Sequence, residues 1–204
     1  MLLAINTAQP IHELALINKG ELLAERAWPK HNKDLEELIP TLQKMLEELG
    51  LTKQEITEIL VITGPGSFTS VRTGVSFANA LAAGLSAKLF AINTFELLER
   101  KAATAPIITI LHAGGQDVAV RSEGETKVGP IAQLLAPFEH NKFSVVAEVL
   151  ETQADELHSI CLEKNWPQIQ GEKLQTLGES ILTFDLQNLK PIQQAEPIYL
   201  KQAI

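Results

Sequence analysis

The spacing of apolar and polar positions divides the chain into segments of clearly different period. The opening Met1 to Ile5 is apolar and Asn6-Thr7 ends it, which predicts a short first strand. From 11 to 17 the side chains alternate, with His12, Leu14 and Leu16 facing one way and Glu13, Ala15 and Ile17 the other. Asn18-Lys19-Gly20 is a turn, and Glu21 to Trp28 supplies a third strand, so these three runs predict an antiparallel meander. From Asn32 the period becomes helical, with Leu35, Leu38, Ile39, Leu42, Met45, Leu46 and Leu49 on one stripe. Asn32 suits an N-cap and Gly50 a left-handed C-terminal residue. Pro40 either kinks this helix or marks its first turn.

Further along, Thr52-Lys53-Gln54-Glu55 has capping-box spacing, and Ile59 to Thr63 is a continuous apolar run, expected of a strand covered on both faces. Gly64-Pro65-Gly66-Ser67 then turns the chain into a helix from about Thr69 to Leu85. Lys88 to Ile92 is the next strand, and Asn93-Thr94 opens another helix. Three antiparallel strands followed by strands added through helices is a ribonuclease-H-like order within the α/β class. After Thr104-Ala105-Pro106 the same order returns in worn form, with strands at 107–111, 117–121 and 143–147 and a helix at 152–163. Two readings stand: a duplication with a reduced second half, giving subdomains 1–105 and 106–204, or one irregular α/β domain. Residues 186–204, with Pro191 and Pro197, read as a tail along the surface.

Composition narrows the function classes. The chain has 204 residues, 45% hydrophobic and 21% charged, with a formal net charge of −8. That balance argues against a broad nucleic-acid footprint, so any role in RNA chemistry would run through a partner or a small local patch. Cys161 is the single cysteine, which excludes an intrachain disulfide and a thiolate metal cluster. No apolar run reaches the roughly 18 residues of a membrane span, and the start reads as a strand, so cytoplasm is the expected location. The five histidines, His12, His31, His112, His140 and His158, never stand four apart, and no metal site is expected.

The turn Gly64, Pro65, Gly66, Ser67, continuing through Thr69 and Arg72, is the most distinctive local feature. The amides of the helix start could bind an anion, yet no Gly-Lys-Ser/Thr motif follows, and a rigid corner with Ser67 or Thr69 as helix cap is the simpler reading. Ser67 is not in a Gly-x-Ser-x-Gly elbow, which argues against a peptidase. In the helix beyond it, Ser70, Gly74, Ala78 and Ala82 stand four apart and are all small, a groove another helix could approach closely.

Residues 59–83, centred on Gly64-Pro65-Gly66-Ser67-Phe68-Thr69-Ser70-Val71-Arg72-Thr73-Gly74, resemble the TsaB/YeaZ family signature. Leu3-Ala4-Ile5-Asn6-Thr7-Ala8, His31 and Pro197-Ile198-Tyr199-Leu200-Lys201 also fit it. The resemblance implies a duplicated fold of the actin/sugar-kinase/Hsp70 kind. It also implies a non-catalytic subunit without a cofactor, pairing with the catalytic subunit TsaD to make N6-threonylcarbamoyladenosine in tRNA and meeting tRNA only through the complex. The family usually has Asp where this chain has Asn6, and an Asp-Ala-Arg strand end where it reads His112-Ala113-Gly114-Gly115. Many relatives also have glycine in place of Ser70. The alternative, an ATP-dependent phosphotransferase of the same fold, would need acids at those strand ends to hold Mg²⁺. The expected contact residues, toward TsaD or a second copy, are Leu38, Leu42 and Met45 on the first long helix and Ser70, Gly74, Ala78 and Ala82 on the second.

Overall fold

A computed structural model describes residues 1–30, 34–183 and 188–200. The expected cap Asn32 and His31 lie outside the described residues. The chain runs β1 (Leu2–Asn6), β2 (Ile11–Asn18), β3 (Glu21–Pro29), α1 (Asp34–Glu48), β4 (Glu58–Ile62), α2 (Phe68–Leu85), β5 (Lys88–Ile92) and α3 (Thr94–Ala102). It continues through β6 (Ile107–Gly114), β7 (Asp117–Ser122), β8 (Glu125–Gly129), α4 (Ile131–Leu135), β9 (Ser144–Glu148), α5 (Glu151–Lys164) and α6 (Leu177–Leu182).

The first sheet has the order β3-β2-β1-β4-β5, with β2 and β3 antiparallel and β4 and β5 parallel to β1. The second has the order β8-β7-β6-β9 with the same senses: two antiparallel strands on one side of the first and a parallel strand on the other. The second sheet therefore repeats the first less its last strand, which is the reduced duplication expected from element order. Every residue of β1, and Ile59 to Ile62 of β4, is buried, as a strand covered on both faces requires.

Local chemistry explains the element ends. Gly50 adopts φ +65°, and the Leu51 N–H donates to Leu46 O at 2.8 Å, closing α1 with a left-handed residue. At α3, Asn93 Oδ1 accepts from the Glu96 N–H at 2.9 Å while Glu96 Oε2 accepts from the Asn93 N–H at 2.8 Å, a reciprocal cap. Pro40 is exposed and is the seventh residue of α1, so it does not mark the first turn.

The chain divides into two compact units, 1–97 with 176–199, and 98–175 with Leu200. This corrects the expected boundary: most of the tail of the 106–204 subdomain belongs with the first unit. There α6 lies against the meander so closely that a Cβ on Gly178 would sit 2.8 Å from Leu22 Cδ2. The Ile192 N–H donates to Leu89 O at 2.9 Å, covering the β5 edge. Each unit has its own apolar cluster, one around Leu3, Ile5, Leu60 and Leu97, the other around Ile108, Val118, Leu157 and Trp166.

Candidate docking helix and the turn that aims it

The turn between β4 and α2 is filled by the chain itself. The Gly64–Pro65 peptide is cis, and Gly64 has φ +95°, which favours glycine. A Cβ on Gly64 would sit 2.7 Å from Ile198 O, and one on Gly66 would enter the Ala8 carbonyl, 2.9 Å from its carbon. The Ser67 N–H donates to Ala8 O at 3.3 Å, the Thr94 N–H to Gly64 O at 2.8 Å, and the Ile198 N–H to Thr63 O at 2.7 Å. Three separate backbone segments, at Ala8, Thr94 and Ile198, thus press on this turn.

Ser67 occupies the N-cap position of α2, but its side chain makes no capping hydrogen bond. Its Oγ instead accepts from Lys30 Nζ at 2.6 Å and from Ser70 Oγ at 3.3 Å. Lys30 went unnoticed in the sequence, although its position follows from the meander. The β2–β3 register pairs Ile11 with Pro29, so Lys30 falls beside Pro10, and its N–H donates to Pro10 O at 2.8 Å.

The contact residues expected on α1 and α2 are core residues. Leu38 and Met45 are 0% exposed and Leu42 5%, because the apolar stripe of α1 faces the domain's own interior. Ser70, Gly74, Ala78 and Ala82 are all buried, and their small size lets α2 lie close to the sheet. A Cβ on Gly74 would collide with the Thr7 hydroxyl at the end of β1, and Thr7 Oγ1 donates to Ser70 O at 2.7 Å. All seven are corrected on the same ground: none is accessible to a partner on this surface.

The opposite face of α2 is open. Thr69, Arg72, Ser76, Ala80, Ala83 and Gly84 are exposed. At about 100° per residue these α2 positions form one arc, diametrically across from Ser70, Gly74, Ala78 and Ala82.

The ends of the two central strands carry an amide and an imidazole, each bonded to a glutamine. Asn6 is fully buried, and its Nδ2 donates to Gln9 Oε1 and Glu13 Oε2, both at 2.7 Å, while its Oδ1 accepts from the Ala8 N–H at 3.1 Å. In the second unit His112 Nδ1 lies 3.1 Å from Gln153 Oε1, and Gln153 Nε2 donates to Gln116 O at 3.2 Å. Glu13 and Gln9 were missed as members of this cluster. The signal was the pairing of Asn6 with Glu13 in the first hairpin. Among the described residues no three His, Cys, Asp or Glu side chains are placed to hold a metal ion. None of the described helices is long and apolar enough to cross a membrane.

Two sheets of ribonuclease-H-like strand order, the second reduced, define a duplicated α/β protein. YeaZ from Pseudomonas aeruginosa has this fold throughout: TM-score 0.75 at 19% identity, covering 97% of this chain and 98% of that one. A family described as "TsaD: tRNA N6-adenosine threonylcarbamoyltransferase" matches residues 24–184, and the chain belongs to that family, in its TsaB/YeaZ branch. It is similar to "tRNA threonylcarbamoyladenosine biosynthesis protein TsaB" of Bacillus subtilis (strain 168), 32% identical over 98 residues, covering 48% of this chain and 42% of that protein. The protein of the same description from Escherichia coli (strain K12) is 32% identical over 94 residues, covering 46% and 40%. The chain thus spans less than half the length of the curated relatives it matches.

Proposed function

We propose that the chain is a non-catalytic partner subunit that pairs with a TsaD-type transferase in the formation of N6-threonylcarbamoyladenosine in tRNA, contacting tRNA only through that complex, in the cytoplasm. The observation that carries this reading is the self-satisfied strand end. Asn6 spends its amide on Gln9 and Glu13, in the place where a phosphotransferase of this fold would present a carboxylate to a metal ion. The neighbouring turn, the other place for a phosphate, is packed by Ala8 and Ile198. What remains available is the outer face of α2, where Ser76, Ala80, Ala83 and Gly84 offer little side-chain bulk and a partner helix can come close. This face replaces the buried stripe as the proposed contact with TsaD or with a second copy of the chain.

The test is co-purification with the TsaD-type protein of the same cell, followed by a tRNA modification assay with and without this chain. Pairing and a modification rate that depends on the chain are expected. Calorimetric titration of the isolated chain with ATP and Mg²⁺ addresses the phosphotransferase alternative, and tight binding there would overturn the partner reading.

A further inference from the structure

We propose that Phe68, Arg72 and Tyr199 form the anchor of the partner interface and receive an apolar segment of the TsaD-type subunit that carries a carboxylate. The inference rests on the partner reading above and goes beyond it by fixing where binding energy concentrates and what chemistry the partner brings.

Phe68 stands on the first turn of α2 and is 45% exposed, while Tyr199 and Ile198 of the returning tail are 37% and 44% exposed. The Phe68 and Tyr199 rings lie 5.0 Å apart at 32°, and the Arg72 guanidinium lies 5.2 Å from the Phe68 ring centre. Arg72 is one helical turn from Phe68, the spacing at which side chains on a helix meet. Exposed apolar groups are common singly, but two rings from distant chain segments in contact, with an arginine over one of them, are not accounted for by the fold. Phenylalanine, tyrosine and arginine are the residues in which interface energy concentrates.

The cluster is also held in advance. Ile198 is pinned by its N–H to Thr63 O at 2.7 Å, and the tail before it by a reciprocal pair in which Asn79 Nδ2 donates to Ala195 O at 3.0 Å and the Ala195 N–H to Asn79 Oδ1 at 2.8 Å. Little ordering is then left for the moment of binding, which removes a large part of its entropic penalty.

Charge sets the chemistry of the occupant. Acidic residues outnumber basic ones 25 to 17, yet the two cations here face no carboxylate among the described residues: Arg72 stacks on Phe68, and Lys30 reaches only the Ser67 hydroxyl. An unpaired guanidinium already oriented by a ring is complementary to a carboxylate. An RNA strand would also meet these cations, but two are too few for a chain of net charge −8, and the apolar side chains favour protein.

Affinity for the TsaD-type subunit of the same cell, measured by calorimetry at low and high salt, tests this. Phe68→Ala and Tyr199→Ala are each expected to weaken binding about tenfold or more. Arg72→Glu should weaken it further than Arg72→Ala, and the salt dependence of the wild type should diminish in Arg72→Ala. Arg72 is on the helix surface, so Arg72→Glu keeps the test valid should Phe68→Ala not fold. Variants that bind like wild type would overturn the anchor while leaving the partner reading intact. An unimpaired heterodimer that loses affinity for tRNA would also overturn it, since the surface would then be an RNA contact. No binding by the wild type would remove the partner reading and the anchor with it.

Discussion

Gly74→Ala sets local propensity against tertiary packing, and the two give opposite signs. Glycine inside an 18-residue helix is unfavourable, and alanine there should stabilise by about 1 kcal/mol on propensity alone. The packing of α2 reverses this. A Cβ at 74 would overlap the Thr7 hydroxyl and lie 3.2 Å from both Thr7 Cβ and Cγ2. Thr7 is 1% exposed and cannot swing into solvent, and turning its side chain breaks the hydrogen bond from Oγ1 to Ser70 O. Overpacking of this kind costs about 1–3 kcal/mol and the lost hydrogen bond about 0.5–1.5. Set against the propensity gain, the net destabilisation is about 2 kcal/mol. Denaturant unfolding followed through Trp28, in a Trp166→Phe background so that only the first unit reports, measures it. Repeating Gly74→Ala in Thr7→Ala protein should remove most of the penalty, because the hydroxyl and the γ-methyl are gone. A Gly74→Ala protein as stable as its parent in the Thr7 background would refute the close packing of α2 on β1.

Three further outcomes follow from other parts of the structure. Asn6→Asp exchanges an amide that donates to Gln9 and Glu13 for a second buried carboxylate beside Glu13, and should destabilise the first unit by about 3 kcal/mol in the same unfolding assay. Lys164 is 9% exposed and its Nζ donates to Phe138 O at 2.6 Å and Ala136 O at 3.2 Å; Lys164→Met should therefore destabilise the second unit by about 2 kcal/mol, read through Trp166 in a Trp28→Phe background. Burial pushes the Cys161 thiol above its ordinary range. The unfolded chain then loses this proton first, near pH 8.5 (about the free-thiol value), and stability falls as pH rises above it; Cys161→Ala should flatten that slope, whereas an identical slope would exclude the thiol as its source.

Most of the architecture was legible because it rests on local signals. Alternation in 11–17 gave β2, the unbroken apolar run 59–63 gave a doubly covered strand, and Gly50 marked the end of α1. The partner face was not legible, for a reason visible in α2. Small residues four apart are what a helix needs to approach another helix, and equally what it needs to approach its own sheet. Ser70, Gly74 and Ala78 lie beside Val71 and Val75 on one continuous buried arc, so the small and the apolar stripes do not point in different directions. Only the position of Thr7, which arrives from β1, shows which use applies. The aromatic cluster was hidden by distance, because Phe68 and Tyr199 are 131 positions apart and nothing periodic links them.

The two units suggest how such a chain can keep an enzyme's fold while spending its interior differently. At the end of β1 the buried polar group is an amide, at the end of β6 it is an imidazole, and each is tied to a glutamine side chain: Asn6 to Gln9, His112 to Gln153. A carboxylate in either place would demand a cation or several donors to offset its burial, which is what a metal and a nucleotide supply in a phosphotransferase. Asn6, bonded within its own hairpin to Gln9 and Glu13, and His112, bonded to Gln153 of α5, have protein partners in these places. The cluster of Arg72, Phe68 and Tyr199 lies outside this interior, exposed on the surface. The tied strand ends and the exposed cluster at Arg72 are the two features on which the proposed partner role rests.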